Sequence, residues 1–542
     1  MEKTSAAKTV KAAKQEKCGL FWADQIARAA AASGKPQVVQ DEKTPSGRVH
    51  VGALRGVIIH DIIHRALLDA GVKSVYYYGV DDFDPMDSLP VYLDKKKFGE
   101  FMGKPLCEVP APDEKTGANN YAEYYFNEFQ EVFERLDAHP QIYWGSDFYR
   151  KGKYNEAIRL TLENAAKIRM VYERVSGGAK ERDWFPISVV CEECGKIGTT
   201  KVTSYDAAAQ TVEYKCLRDY VAWAKGCGYE GRVSPFNGNA KLPWKAEWPA
   251  KWFILGVTIE GAGKDHCTAG GSRDVANAIY REVYNRAPPV NVPYEFFLVG
   301  GKKMSSSRGV GASAFEVAAL LPPELLRFLM TKYKPSTAID FNPAGETIPR
   351  LFDAFDEAAA IYFKEKEARD PDVPRIFALS HIGEPKKMFR PQFSFVAALI
   401  QIPGVDVENA LVRQKGAPLT ADEKKLLAER VGYARVWLDK LAPDEAKLRI
   451  LDFKEAEKRF RSLDAKVKAA LADFGEFFAI HDRVDEQVNE IKRLCAAHGV
   501  RLQDFFAAAY SVFIGRGHGP KLLPFLNALE RGFAAARLKN AG

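Results

Sequence analysis

Apolar positions along this chain keep one helical rhythm, interrupted before about Ile348 by short unbroken runs. They fall at Val51, Leu54, Ile58, Ile62, Ala66 and Leu67, a three-and-four spacing that predicts a helix stopped by Gly71. Val38 and Val39 come before it and "KSVYYYGVDD" after it, so the order is strand, glycine loop, helix, strand. From Tyr121 to Gly178, "YAEYYFNEFQEVFERLDA" and "NEAIRLTLENAAKIRMVYERV" repeat at three and four and predict further helices. "WFILGVTIEG" and "EFFLVGG" are continuous apolar runs ending on glycine, the pattern of buried parallel strands. Beyond "PPELLRFLMTKYKPSTAIDF" the strand signals fade, and "DEKKLLAERVGYARVWLDKL" and "LLPFLNALERGFAAARL" predict helices alone.

This organisation predicts an α/β fold with a parallel sheet over 21–345, followed by an all-α domain over 346–542. The lysine-, proline- and glycine-rich stretch after Leu89 reads as an insertion or long loop, and 95–235 as an insertion holding helices and a cysteine module at 184–232. A β-α-β unit places ligands where strand C-termini meet helix N-termini. In "TPSGRVHVGALRG", His50 falls at the start of the helix, beside free N–H groups and the positive dipole end, a setting suited to phosphate. Glycine before a helix is also ordinary turn chemistry. A second loop, "KKMSSSRGVG", is charged and rich in small residues, as loops that move are.

Size and composition narrow the class. A chain of 542 residues exceeds one ordinary core, and its 46% apolar residues can fill two to four. No apolar run approaches the roughly 20 residues of a membrane span, and the first residues carry no secretory segment. A soluble, cytoplasmic protein with no membrane partner is expected. Residues 1–20 read as a disordered basic tail, with nucleic-acid contact or an organelle address as the other readings of its lysines. The net charge of +7, with 78 basic against 71 acidic residues, permits a polyanionic partner without requiring one.

Among eight cysteines, Cys191 and Cys194 in "CEECG", Cys216, and Cys227 in "KGCGYEG" form the pattern of a zinc ribbon or knuckle. Four thiolates close a tetrahedral shell, so the Zn²⁺ would be structural. An apolar or redox role for the thiols is the alternative, and Cys227 is the loosest of the four in spacing.

The loop from Pro45 to Gly52 and the loop from Lys302 to Gly309 resemble the two signature sequences of class I aminoacyl-tRNA synthetases. Between them stands "GKDH", Gly263 to His266. "WADQIA", "TPSGRVHVG", "DDFDP", "CEECGKIGTT", "GNAKLPWKAEWPAKW", "GGSRD" and "FFLVGGKKMSSSRG" resemble, in order, blocks of the class I lysyl-tRNA synthetases, from about Phe21 to about Phe355. The resemblance implies a Rossmann-like catalytic domain and an anticodon-binding helical domain. It also implies ATP-driven activation of L-lysine to lysyl-adenylate and transfer to tRNA(Lys); a monomer is expected.

Further implications attach to single residues. His50 and the backbone around Gly52 would hold the phosphates, with Pro45, Ser46 and Gly47 shaping the loop. Lys302 and Lys303, with Met304, Ser305, Ser306 and Ser307, would close on the pyrophosphate. Gly263 would border ATP, Asp265 or His266 would reach the ribose or the substrate amino group, and the backbone around Val299 would hold adenine. Mg²⁺ would arrive with ATP. A long apolar stem ending in an ammonium asks for aromatic walls and an acidic or hydrogen-bonding end. Thr44, Tyr78, Asp82, Trp244, Trp248 and His266 are the candidates.

The chain departs from the family pattern at Ala53, where a histidine, asparagine or threonine is usual, and at "MDSLP", where a basic pair is usual. "HIGEPKKM", His381 to Met388, spells the first signature but lacks its surroundings and reads as a loop, and His60 and His64 read as helix residues, not ligands. A class I synthetase or paralogue for another amino acid, and a non-catalytic zinc- and RNA-binding relative, are the competing readings.

Overall fold

The valine pair lies in strand Gln37–Lys43 (β1), between helices Trp22–Ser33 (α1) and Val51–Asp69 (α2), in a computed structural model that describes residues 21–301, 312–402 and 404–540. Strand Ser74–Val80 (β2) follows and pairs parallel with β1 along its whole length. Helix Tyr121–Arg135 (α3) leads to strand Gln141–Trp144 (β3), and helices Asn155–Glu163 (α4) and Ala165–Ser176 (α5) lead to the cysteine module. That module is three antiparallel strands, Thr200–Asp206 (β4), Thr211–Cys216 (β5) and Glu230–Val233 (β6). The chain then makes helix Trp244–Leu255 (α6), strand Ile259–Gly263 (β7), helix Ser272–Glu282 (α7) and strand Val290–Tyr294 (β8).

Five of these strands form one parallel sheet in the order β8-β7-β1-β2-β3. The chain builds from β1 to one edge and later returns to build the other. The strand order therefore reverses between β1 and β7, where an open α/β sheet leaves a crevice beyond its strand ends.

Helix α2 fills the centre. Its periodic residues Val51, Leu54, Ile58, Ile62, Ala66 and Leu67 are buried, and so are Arg55, His60 and Asp61. A helix buried on nearly all sides must answer its polar groups internally. Asp61 does so with Arg65 Nε at 2.8 Å and with the guanidinium of Arg327, which lies on helix Pro323–Thr331 (α8). Arg327 also donates to the carbonyls of Leu379 (2.6 Å) and Leu136 (3.0 Å). His60 and His64 are helix residues, as expected, the first wholly buried and the second bonded through Nδ1 to Ser74 Oγ at 2.9 Å.

Three expectations need correction. In "WFILGVTIEG" the first four residues end helix α6, and only Ile259 onward is strand. An unbroken apolar run does not distinguish a buried strand from a buried helix, and here the helix lets Trp248 and Trp252 both reach one acceptor, Glu260. "EFFLVGG" supplies only Phe297–Leu298 (β9), paired with Ile339–Asp340 (β10) outside the main sheet, whose edge is the proline- and asparagine-bearing "VNVPY". The span 95–235 is no uninterrupted insertion, because β3 within it is a sheet strand too short to show in the pattern.

The chain divides into two units. One takes in the chain to Ala319 with Pro323–Phe341 and Glu367–Glu384; the other takes in Leu320–Pro322, Asn342–Lys366 and Pro385 onward. The second is helical among the described residues, with a core around Phe474, Phe478, Phe505, Phe513 and Phe525. "DEKKLLAERVGYARVWLDKL" forms the helix Ala421–Lys440, started by a Thr420–Glu423 capping box. "LLPFLNALERGFAAARL" is two helices, because the Glu530 carboxylate caps a new N-terminus at Arg531.

Replacing Arg327 with methionine should leave Asp61 and two carbonyls short of their buried partner. The expected loss is about 3 kcal/mol of unfolding free energy or more. Urea denaturation followed by tryptophan fluorescence measures it, and a loss under about 1 kcal/mol would contradict the role given to this guanidinium.

Candidate functional site

At the reversal point, the ends of β1 and β7 and the first turn of α2 enclose a cavity of about 210 Å³. Asp41, Glu42 and Lys43 border it from β1, His50, Gly52 and Ala53 from the helix start, and Glu260 to Gly263 from β7. Tyr78, Trp244, Trp248, Asp265, His266 and the segment Tyr294 to Phe297 complete it.

The loop before α2 is held from outside. Thr44 Oγ1 donates to Asp84 at 2.6 Å, the Arg48 N–H to the Tyr92 hydroxyl at 2.7 Å, and the Tyr121 hydroxyl to the Ser46 carbonyl at 3.0 Å. Gly47 takes φ 156°, a conformation side chains avoid. His50 is the N-cap of α2, and a Cβ on Gly52 would lie 2.9 Å from its Nδ1. The Val51 N–H donates to the Ala312 carbonyl at 3.3 Å, and Ala314 N–H to the Val49 carbonyl at 2.8 Å. The residues following the second signature loop are thus bound to the start of the first helix.

Arg55, one turn further along α2, turns both terminal nitrogens of its guanidinium to carbonyls. It donates to Glu295 (2.8 Å), Phe296 (3.0 Å), Lys334 (3.2 Å), Pro335 (3.2 Å) and Thr337 (2.6 Å). Two chain segments that would otherwise face each other with bare carbonyl dipoles are joined by one cation, whose pKa burial pulls down to about 10.

The walls are aromatic. Trp244 and Trp248 stack with centroids 4.8 Å apart, and His266 lies 5.8 and 5.9 Å from them. Beneath lies a buried lattice of charge. Lys251 Nζ stands 2.8 Å from Glu42 and 2.5 Å from Asp81, and Lys241 Nζ 2.9 Å from Asp84 and 2.5 Å from Glu247. Glu260 accepts from both tryptophan indoles, at 2.9 and 2.5 Å, and pairs with Arg273 at 3.1 Å. Burial lowers Lys251, but Asp81 and Glu42 more than reverse this and keep it charged. Burial pushes Asp41 up to about 7 and His60 down to about 4.

Of the residues singled out in the sequence, His50, Gly52, Tyr78, Trp244, Trp248, Gly263, Asp265 and His266 meet at this cavity. Thr44 and Asp82 do not: Thr44 is turned to Asp84, and Asp82 is buried against Ser146, whose N–H donates to it at 2.8 Å. Both answer internal polar groups of the loops behind the wall, which a sequence pattern cannot show. Pro45, Ser46, Gly47 and Val299 lie in the neighbouring loops and not in the wall. Lys302, Lys303, Met304, Ser305, Ser306 and Ser307 fall outside the described residues. "HIGEPKKM" starts as irregular chain after a helix, with His381 Nδ1 2.9 Å from Glu324. Asp41, Glu42, Glu260, Tyr294 and Arg55 were missed; the one signal for the first two is a charged triplet, Asp41 to Lys43, closing an apolar strand.

The cysteine module gathers Cys191, Cys194, Cys216 and Cys227, with all four sulfurs within 4.8 Å of one another. Cys191 and Cys227 are 3.6 Å apart, and Cys194 and Cys216 3.7 Å. A tetrahedral zinc–thiolate shell, with metal–sulfur bonds of about 2.3 Å, sets sulfurs about 3.8 Å apart. The cluster fits such a metal.

Comparison with known proteins gives the family. The family model described as tRNA synthetases class I (K) matches residues 20–383. The lysine–tRNA ligase of Thermoplasma acidophilum is 34% identical over 96% of this chain and 98% of its own length. Lysine–tRNA ligase 1 of Methanosarcina acetivorans is 33% identical with the same coverages. Among solved structures, a glutamate tRNA ligase from Elizabethkingia meningosepticum aligns over 93% of this chain and 98% of its own, at 12% identity and a TM-score of 0.39. A family model across most of the chain, and relatives a third identical along nearly all of it, place the protein: it belongs to the class I (K) tRNA synthetases.

Proposed function

We propose that the enzyme activates L-lysine with ATP and transfers it to tRNA(Lys). The observation that carries this reading is the cavity itself: aromatic walls for an aliphatic stem, a floor of buried carboxylates for an ammonium, and an opening at a helix start for phosphate. The lysine carboxylate attacks the α-phosphorus, the bond to the bridging oxygen breaks, and pyrophosphate leaves. A ribose hydroxyl of the tRNA end then attacks the acyl carbonyl and releases AMP. Neither step needs a covalent enzyme intermediate; both need alignment and charge stabilisation.

In this reading His50 and the N–H groups after it receive the phosphates, and Gly263 and Asp265 border the nucleoside. The carbonyl-clamped segment up to Phe297, continuing to Val299, faces adenine. Trp244, Trp248, Tyr78 and His266 enclose the lysine stem. Lys302 and Lys303, with Met304 to Ser307, supply charge for the departing pyrophosphate, and Mg²⁺ accompanies ATP. Cys191, Cys194, Cys216 and Cys227 hold a structural Zn²⁺, and residues 346–542 read the anticodon. The enzyme is read as a cytoplasmic monomer, and separately no described helix is long and apolar enough to cross a membrane.

Pyrophosphate exchange with each of the twenty amino acids, with and without tRNA, should select lysine by about 100-fold or more over the rest. Selection of another amino acid overturns the substrate, and no exchange with any of them overturns the activity. Purified protein should carry one zinc per chain, lost in Cys191→Ser and Cys227→Ser together with several degrees of melting temperature; under half an equivalent in the parent counts against the site. Lys303→Ala should slow adenylate formation by about 100-fold with ATP affinity far less changed, as for loss of a contact worth about 3 kcal/mol made chiefly in the transition state. A rate within about threefold of the parent would instead mark Lys303 as a solvated surface lysine.

A further inference from the structure

Three carboxylates border the cavity from buried positions, and their surroundings differ. Glu42 is paired with Lys251, and Glu260 with Arg273 and two indole N–H groups. Asp41 is only 8% exposed, and among the described residues no lysine or arginine nitrogen stands in ion-pair reach of it. Its Oδ1 accepts the Glu42 N–H at 2.9 Å. Its Oδ2 lies 3.6 Å from His60 Nδ1.

His60 does not supply the missing charge. Its Nε2 accepts the Gly261 N–H at 2.7 Å, so that nitrogen carries a lone pair, and its Nδ1 lies 2.7 Å from the Gly56 carbonyl, so that one carries the proton. Both nitrogens are committed, the ring is neutral, and burial holds it so. Space is kept around Asp41 as well. A Cβ on Gly56 would lie 2.9 Å from Asp41 Oδ2 and 2.7 Å from the Tyr294 hydroxyl, so the helix presents a glycine where these two polar atoms meet the cavity.

We infer that Asp41 is the residue that receives the side-chain ammonium of the amino-acid substrate and decides for a cationic side chain against a neutral one of equal length. The assignment rests on the lysine reading above. An ammonium brought to Glu42 or Glu260 would compete with a resident cation; at Asp41 it completes the only unmatched buried carboxylate of the three. A buried charge left without its partner is costly, so the empty carboxyl takes a proton readily and gives it up when the ammonium arrives. The groups around it are Lys43 on its own strand, Tyr76 and Tyr78 on β2, His60 on α2, Glu260 on β7 and Tyr294 on β8. The tyrosines stay protonated and His60 stays neutral across the neutral range, which leaves Asp41, its neighbours Glu42 and Lys43, and Glu260 as the groups that titrate there, and loss of the slope in Asp41→Asn is what assigns it to Asp41.

Two ligands separate the ends of the substrate: 6-aminohexanoate keeps the side-chain ammonium and lacks the α-amino group, and norleucine does the reverse. In the parent enzyme, KM for lysine and Ki for 6-aminohexanoate should rise as pH falls through about 7, by up to roughly tenfold per unit, while Ki for norleucine stays flat. In Asp41→Asn, lysine and 6-aminohexanoate should both weaken by roughly 30-fold or more. Norleucine and ATP should change by less than about threefold, and the pH slope should disappear. Norleucine weakening in parallel with lysine would assign Asp41 to the α-amino group and overturn the proposal. So would an unchanged lysine KM. If Asp41→Asn fails to fold, the parent's three pH profiles decide alone, and coincident profiles refute the assignment. Should the parent activate a different amino acid, the lysine reading fails on that assay, and the pH profile of 6-aminohexanoate still tests Asp41.

Discussion

The sheet unit depends on pairing charges that it has removed from water. Lys251 and Lys241 are almost wholly buried, and each sits between two carboxylates drawn from different elements: β1, the chain after β2, and helix α6. Such clusters add little net stability, because the cost of stripping water from each ion offsets most of the attraction. Their effect is positional. A carboxylate moved away from its lysine would be left unpaired in a dry interior, so strand ends and helix can meet in one arrangement only. The cavity inherits its shape from that arrangement, since the helix that carries Lys251 also carries Trp244 and Trp248.

Helix α2 is the second organiser. Along nearly three turns it presents His50 as cap, Gly52 against the His50 ring, Arg55 to five carbonyls, Gly56 beside Asp41 and Tyr294, and His60 to the backbone of β7. Each contact is to a different segment of the wall, and all are set by helical spacing from a single start. A class I synthetase has little covalent chemistry to perform, so holding phosphates, nucleoside and amino acid in register is most of its task. One rigid helix that touches several of the segments around the cavity meets that requirement with few parts.

The cysteine module and the helical unit are built on other terms. A three-stranded antiparallel piece has a small core, and four converging thiols offer a metal cross-link where burial alone is modest. The helical unit is the opposite case, with an apolar core of tilted and edge-on phenylalanines.

The primary sequence by itself determined what local rules govern. Helix α2, the helical C-terminal region, the two signature loops in order and the clustering of Cys191, Cys194, Cys216 and Cys227 all follow from spacing that neighbours along the chain enforce. Tertiary structure decided what depends on meetings across long separations. The run "WFIL" became helix because Trp252 and Trp248 share Glu260, and Pro-bearing "VNVPY" became a sheet edge because β7 pairs with it. Thr44 and Asp82 turned away to answer Asp84 and Ser146. Asp41, Glu42 and Glu260 became the cavity floor by a pairing of β1 with β7 across more than two hundred residues. Periodicity reports which face of an element is dry; which buried charge finds a partner is settled only when distant elements close on one another.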